Sequence, residues 1–93
     1  MRTLRPALEL EVELHDDGRP RALRPRASEA NARRPDVRGA VAVAAGPWAL
    51  EEGWWSEAPM AREYWDVELA GGGLWRLFRD AASGLWFADG AYD

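Results

Sequence analysis

The stretch "EYWDVELAGGGLWRLFRDAASGLWFADGAYD" (Glu63–Asp93) decides the fold. Three apolar-rich runs are separated by two short breaks, Gly71–Gly73 and Asp80–Gly84. Runs of five to eight residues bounded by glycine read as strands joined by hairpin turns. The spacing predicts a three-stranded antiparallel meander over residues 62–93. Closing the first turn at Gly71–Gly73 sets Glu68 opposite Arg76 and Val67 opposite Leu77. Closing the second at Asp80–Gly84 sets Leu77 opposite Phe87. Trp65, Val67, Leu69, Trp75, Leu77, Leu85 and Phe87 then share one face, because strand side chains alternate with a period of two. That face is the expected core. The other carries Tyr64, Leu74, Phe78 and Trp86 beside Asp66, Glu68 and Arg76. It is more apolar than a sheet open to water requires.

Working back towards the N-terminus, "ALELEVEL" (Ala7–Leu14) alternates strictly. Leu8, Leu10, Val12 and Leu14 face one way, and Glu9, Glu11 and Glu13 the other, as in a half-buried strand. Asp17-Gly18 supplies hairpin-turn chemistry, and a short return strand over Arg21–Arg24 is bracketed by Pro20 and Pro25. "RASEANARRPDVRG" (Arg26–Gly39) is the least patterned stretch. Ser28 and Glu29 suit one helical turn, which Pro35 stops, so residues 19–40 read as an arginine-rich loop region. "AVAVAAGPW" (Ala40–Trp48) resumes as a strand that Gly46-Pro47 ends or bends. The following "ALEEGWWSEAPMA" (Ala49–Ala61) reads as a connection with one helical turn near Glu51–Trp55. The whole is expected to be one all-β domain over residues 1–93, a small antiparallel barrel or curled sheet of five or six strands.

Composition agrees with that size. Ninety-three residues suit one domain, and a core this small needs large side chains. Six Trp, two Tyr and two Phe supply them, at about 150–250 Å² of buried area each. There is no Cys, so thiolate metal ligands and thiol nucleophiles are excluded. There is no Lys, so Schiff-base chemistry is excluded, and every cation is a planar guanidinium. His15 is the sole histidine, placed beside a turn. The acidic pairs Asp16-Asp17, Glu51-Glu52 and Asp66/Glu68 lack metal-ligand spacing. Gly71–Gly73 lies between strands with no helix N-terminus after it, so it is not a phosphate loop. No enzyme, metal site or cofactor is expected. The charged N-terminus does not read as a signal peptide, and no apolar run approaches the roughly 18–20 residues that span a bilayer. A cytoplasmic protein without membrane association is the expectation.

Charge is uneven. The chain carries a net −4, but Arg19–Arg38 holds seven Arg against Glu29 and Asp36. Such a segment beside an acidic body suits an intramolecular clasp, a phosphate backbone or an acidic protein partner. Arg19, Arg21, Arg24, Arg26, Arg33 and Arg34 are the candidate nucleic-acid contacts, with bases stacking on aromatic rings of a small barrel. Tyr64, Phe78 and Trp86, flanked by Arg62 and Arg79, are the candidate protein-partner contacts, since aromatics and Arg dominate binding hot spots. Glu57, Arg62 and Glu63 form either a surface ion-pair patch or a partly buried salt bridge. A purely structural domain, its aromatic face covered by its own N-terminal strands, is the third reading.

One resemblance bears on these alternatives. Trp48, Trp54, Trp55, Arg62, Tyr64, Trp65, Val67, Trp75, Leu77, Phe78, Arg79, Trp86, Phe87, Tyr92 and Asp93 recur in an order similar to that of a known family. The pattern, over about Val41–Asp93, resembles the C-terminal domain of ImuB-type proteins, the catalytically inactive Y-family DNA polymerase homologues of bacterial translesion synthesis. It also resembles a related group of small stand-alone bacterial proteins of unknown function. The resemblance implies a non-catalytic docking module whose partners are a RecA-like accessory protein and an error-prone polymerase. Two departures stand out. The chain holds no polymerase palm, fingers or little finger, and it has no Gln for the Gln-led sliding-clamp motif of such proteins.

Overall fold

The computed structural model describes residues 1–52 and 60–92. Six antiparallel strands run in sequence order and close into a barrel: β1 (Arg2–Leu14), β2 (Pro20–Pro25), β3 (Gly39–Glu52), β4 (Met60–Leu69), β5 (Leu74–Asp80) and β6 (Trp86–Tyr92). The all-β expectation holds, with the C-terminal meander forming half of the ring. The N-terminal strands do not lie over the meander. They join it edge to edge, β1 pairing with both β2 and β6.

Each turn has a local cause. Gly18 takes a φ of 88° and donates its N–H to the His15 carbonyl, while the Asp17 carboxylate accepts the Arg19 N–H. Such positive φ is open to glycine at little steric cost. Between β4 and β5, Leu69 and Gly73 close the loop by a 3.0 Å backbone bond. Between β5 and β6, the Asp80 carboxylate accepts the N–H groups of Ala82 and Ser83. The loop after β2 forms a single 3₁₀ turn, Glu29–Asn31, with Ser28 at its N-cap position. This is the helical turn expected there.

Strand β3 runs further than anticipated. Gly46-Pro47 bends it through a register shift between Ala45 and Trp48, and it then continues to Glu52, paired with Met60. Proline has no N–H for the ladder, which is why the irregularity falls there. Gly46 has a φ of 136°, and a Cβ on it would meet the Tyr64 carbonyl oxygen at 2.8 Å and the Trp65 indole at 3.3 Å. Ala49–Glu52 are therefore strand rather than connection, which removes the start of the helical turn expected near Glu51–Trp55. The remainder of that turn, with Trp54, Trp55 and Glu57, lies outside the described residues, as does Asp93.

The core is the barrel interior. Leu4, Leu8, Leu10, Leu23, Trp65, Val67, Leu69, Leu77, Trp86 and Ala88 pack inside it. Full burial of a Leu or Val side chain contributes about 1.5–3 kcal/mol. Val37, an isolated apolar residue in the arginine-rich loop, is fully buried in the same cluster.

The meander's registers differ from the sequence-based ones in two ways. In β4–β5, Asp66 pairs with Arg76 and Trp65 with Leu77, two residues from the expected alignment. A shift of two leaves every side chain on its own face. In β5–β6, Leu77 pairs with Ala88 and Phe78 with Phe87, after a register shift between Arg76 and Leu77. This differs by one, so β6 is turned over: Trp86 enters the core and Phe87 leaves it. Leu85, expected inside, is exposed.

Candidate functional site

The outer face of the meander carries one continuous row of rings. Trp48 on β3 pairs with Tyr64 on β4, Tyr64 with Phe78 on β5, and Phe78 with Phe87 on β6. Ring centroids are 6.3, 5.8 and 5.0 Å apart along the row. Directly opposed residues in antiparallel strands bring their Cβ atoms within about 5.5 Å, so four opposed aromatics form a ladder.

Two guanidinium groups lie on these rings. Arg62 sits 4.2 Å from the Phe78 centroid, and its Nη1 donates to the Tyr64 hydroxyl at 3.4 Å. Arg76, one step along β5, lies 5.6 Å from Trp48, 6.0 Å from Tyr64 and 5.5 Å from Tyr92. The quadrupole of an aromatic face attracts such a cation. Asp66 holds Arg76 in place with a 3.3 Å contact and accepts the Tyr92 hydroxyl at 3.0 Å. Partial burial, followed by the hydrogen bond to Asp66, raises the Tyr92 hydroxyl above the usual phenol range. For Arg76, burial opposes the charge, but the Asp66 and Tyr92 contacts outweigh it and leave the guanidinium held more firmly protonated.

The row is not uniformly open. Tyr64 and Phe78 are only 8% and 5% exposed, while Trp48 is 39% exposed. The accessible part of the cluster is thus the Trp48 end, with Arg76, Asp66 and Tyr92 around it.

Of the five predicted partner contacts, the structure brings three together: Tyr64, Phe78 and Arg62. Trp86 is corrected to the core, where it is 8% exposed, because the β5–β6 register turns it inward. Arg79 is also corrected. It alternates with Phe78, so it shares the inward series with Leu77 and pairs with Glu63 at 3.5 Å. Glu63 and Arg62 therefore point to opposite sides of β4 and do not form one patch. Trp48, Phe87 and Tyr92 belong to the cluster but were not expected on this face, and Arg76, expected on it, was not singled out as a contact. Once β3 is extended past Gly46-Pro47 and Phe78 is set opposite Phe87, the row follows.

The predicted nucleic-acid arginines are mostly engaged within the chain. Arg26 pairs with Glu9 at 2.5 Å, Arg24 with Glu11 at 2.6 Å and Arg19 with Asp17 at 2.8 Å. Arg34 donates to the Pro6 carbonyl oxygen. Arg21 and Arg33 make no ion pair among the described residues. Of the three roles open to this segment, the intramolecular clasp accounts for Arg24 and Arg26, which bind the outward glutamates of β1.

Among the described residues, no group of three or more His, Asp or Glu converges as a metal site, and no helix is long and apolar enough to cross a membrane. Comparison with protein-family models, curated proteins and solved structures finds no match to this chain.

Proposed function

We propose that this chain is a non-catalytic protein-docking module, of the kind implied by its likeness to the C-terminal domain of ImuB-type proteins. Its partners in that reading are a RecA-like accessory protein and an error-prone polymerase. The observation that carries it is the Trp48 end of the outer row: an exposed indole beside a guanidinium held by Asp66 and Tyr92. A rigid aromatic next to a fixed Arg is the composition of a binding hot spot, and a ring already packed against its neighbour loses little entropy on docking.

Support for a protein partner over single-stranded nucleic acid comes from charge. The chain is net −4, and four of the six candidate arginines already bond within it. A nucleic-acid surface needs guanidinium groups free to replace counterions on phosphates.

Affinity capture of the accessory protein and the polymerase by the whole chain tests this reading. Trp48→Ala is expected to abolish capture, at a loss of about 2 kcal/mol or more, while near-UV circular dichroism stays native. Undiminished capture by a folded Trp48→Ala chain contradicts it. So does tight, salt-dependent binding of an oligonucleotide in place of either protein.

A further inference from the structure

The arginine-rich connection between β2 and β3, residues 26–38, is pinned to the barrel at several points. Val37 is fully buried in the core. The Asn31 side-chain amide donates to the Arg26 and Glu9 carbonyl oxygens, and the Arg26 N–H also donates to Glu9. Arg34 reaches the Pro6 carbonyl oxygen. A connection held this way presents its side chains from fixed positions, as binding loops on a rigid scaffold do. It wraps a cavity of about 320 Å³ whose lining includes Arg26, Ser28, Asn31, Arg34, Asp36 and Arg38. Small-ligand sites span about 300–1,000 Å³, so the cavity suits a small molecule.

We infer that this cavity takes the phosphate of a small phosphomonoester. Three guanidinium groups line it, and each makes one hydrogen bond within the chain: Arg26 from Nη1 to Glu9, Arg34 from Nη2 to Pro6, and Arg38 from Nε to Asp36. A guanidinium has five N–H donors, so each keeps capacity for a further acceptor. Their charges are not equally answered. Arg26 and Arg38 face carboxylates, whereas Arg34 faces a neutral carbonyl and makes no ion pair among the described residues. The lining therefore retains a positive charge on Arg34, which is half-buried. Ser28 adds a hydroxyl that makes no capping bond to the 3₁₀ turn behind it. Planar forks together with a hydroxyl match the several terminal oxygens of a phosphate better than the two of a carboxylate. The cavity exceeds a bare tetrahedral anion and leaves room for the group that the phosphate esterifies. One phosphate needs a few converging donors, whereas a nucleic-acid strand needs a row of cations free to replace counterions. The cavity shares no residue with the Trp48, Arg76, Asp66 and Tyr92 cluster, so this inference and the docking reading can fail separately.

Amide chemical shifts of the whole chain, titrated with O-phosphoserine and with adenosine 5′-monophosphate, test the site. The expected result is saturable binding of at least one ester at about 1 mM, with shifts centred on Ser28, Asn31, Arg34 and Arg38. Whichever ester binds more tightly identifies the kind of group the phosphate carries. Arg34→Gln should weaken binding at least about tenfold, while Arg33→Gln, which removes the neighbouring charge outside the lining, should leave it unchanged. Ser28→Ala removes a hydroxyl and no capping bond, so it should fold as the unmodified chain does and weaken binding about threefold; it keeps the test intact should Arg34→Gln disturb the loop. No saturable shift with either ester up to about 20 mM, well past millimolar dissociation, overturns the inference. So does an equal loss with Arg33→Gln and Arg34→Gln, since the segment's charge alone would then suffice. Acetate moving the same amides as far at equal ionic strength also overturns it.

Discussion

The β1–β2 hairpin and the run of strands β3–β6 finish their outer faces in opposite ways. On β1–β2 the outward residues are charged, and Glu9–Arg26 and Glu11–Arg24 bridge the strands in water. On β3–β6 the outward residues are Trp48, Tyr64, Phe78 and Phe87, and the cations Arg62 and Arg76 lie over the rings. The same residue type, arginine, does different work in each. In the first it pairs with a carboxylate on the neighbouring strand, Glu9 or Glu11. In the second it covers apolar surface with its stem and plane while keeping its charge near solvent. A polar outer face can be left as it is, whereas an aromatic one must be covered by the chain's own side chains or by a partner. That contrast locates the candidate site.

The contrast can be broken by substitution, and the effects should fall in a definite order. Gly46→Ala should do the most damage, because a Cβ there collides with the Tyr64 carbonyl and the Trp65 ring at a φ that L-residues avoid. A loss of about 3 kcal/mol or more is expected, read as a drop in the denaturant midpoint. Phe78→Ala comes next. If the outer row is packed like a core, it should cost about 3 kcal/mol; a cost below 1 kcal/mol would mean the row is a mere surface decoration. Arg76→Ala should cost about 0.5–1 kcal/mol through the lost ring contacts, and should raise the solvent accessibility of Trp48 to an aqueous quencher. Arg24→Gln should change stability by less than about 0.5 kcal/mol, as exposed pairs do.

A pH titration sharpens the same comparison. Tyr92 has its phenol raised in the folded chain, so the folded state holds that proton more tightly than the unfolded one. The stabilisation is complete below the unfolded value near pH 10, and it is lost as pH rises through the folded value. Tyr92→Phe should lack that alkaline loss. The β1–β2 hairpin carries no tyrosine, so Arg24→Gln should leave the alkaline limb as it is in the unmodified chain.

Much of this architecture was legible in the residues. Alternation at Leu8–Leu14, the Asp17-Gly18 turn and the Gly71–Gly73 break each state a period or a backbone conformation, and the barrel follows from them. The site was harder to read for a specific reason. In "LWF" at Leu85–Phe87 three apolar side chains stand in a row, so hydrophobicity cannot say which of Trp86 and Phe87 faces inward. Only the register shift between Arg76 and Leu77 settles it, and nothing in the local sequence announces that irregularity. By contrast, β4's faces survived their misalignment, because a shift of two residues leaves every side chain on its own side of the sheet. Trp48 was hidden because proline usually terminates a strand, and β3 instead bends at Pro47 and runs on. Val37 was hidden because a single apolar residue among arginines has no period at all.

The most direct test of the docking account is an amide and indole chemical-shift map of the whole chain titrated with the RecA-like accessory protein. The account predicts shifts centred on the Trp48 indole, Arg76, Asp66 and Tyr92, with residues 9–26 of the first hairpin unmoved. Saturable binding whose shifts fall on that hairpin, or no binding at all to either named partner, would contradict it.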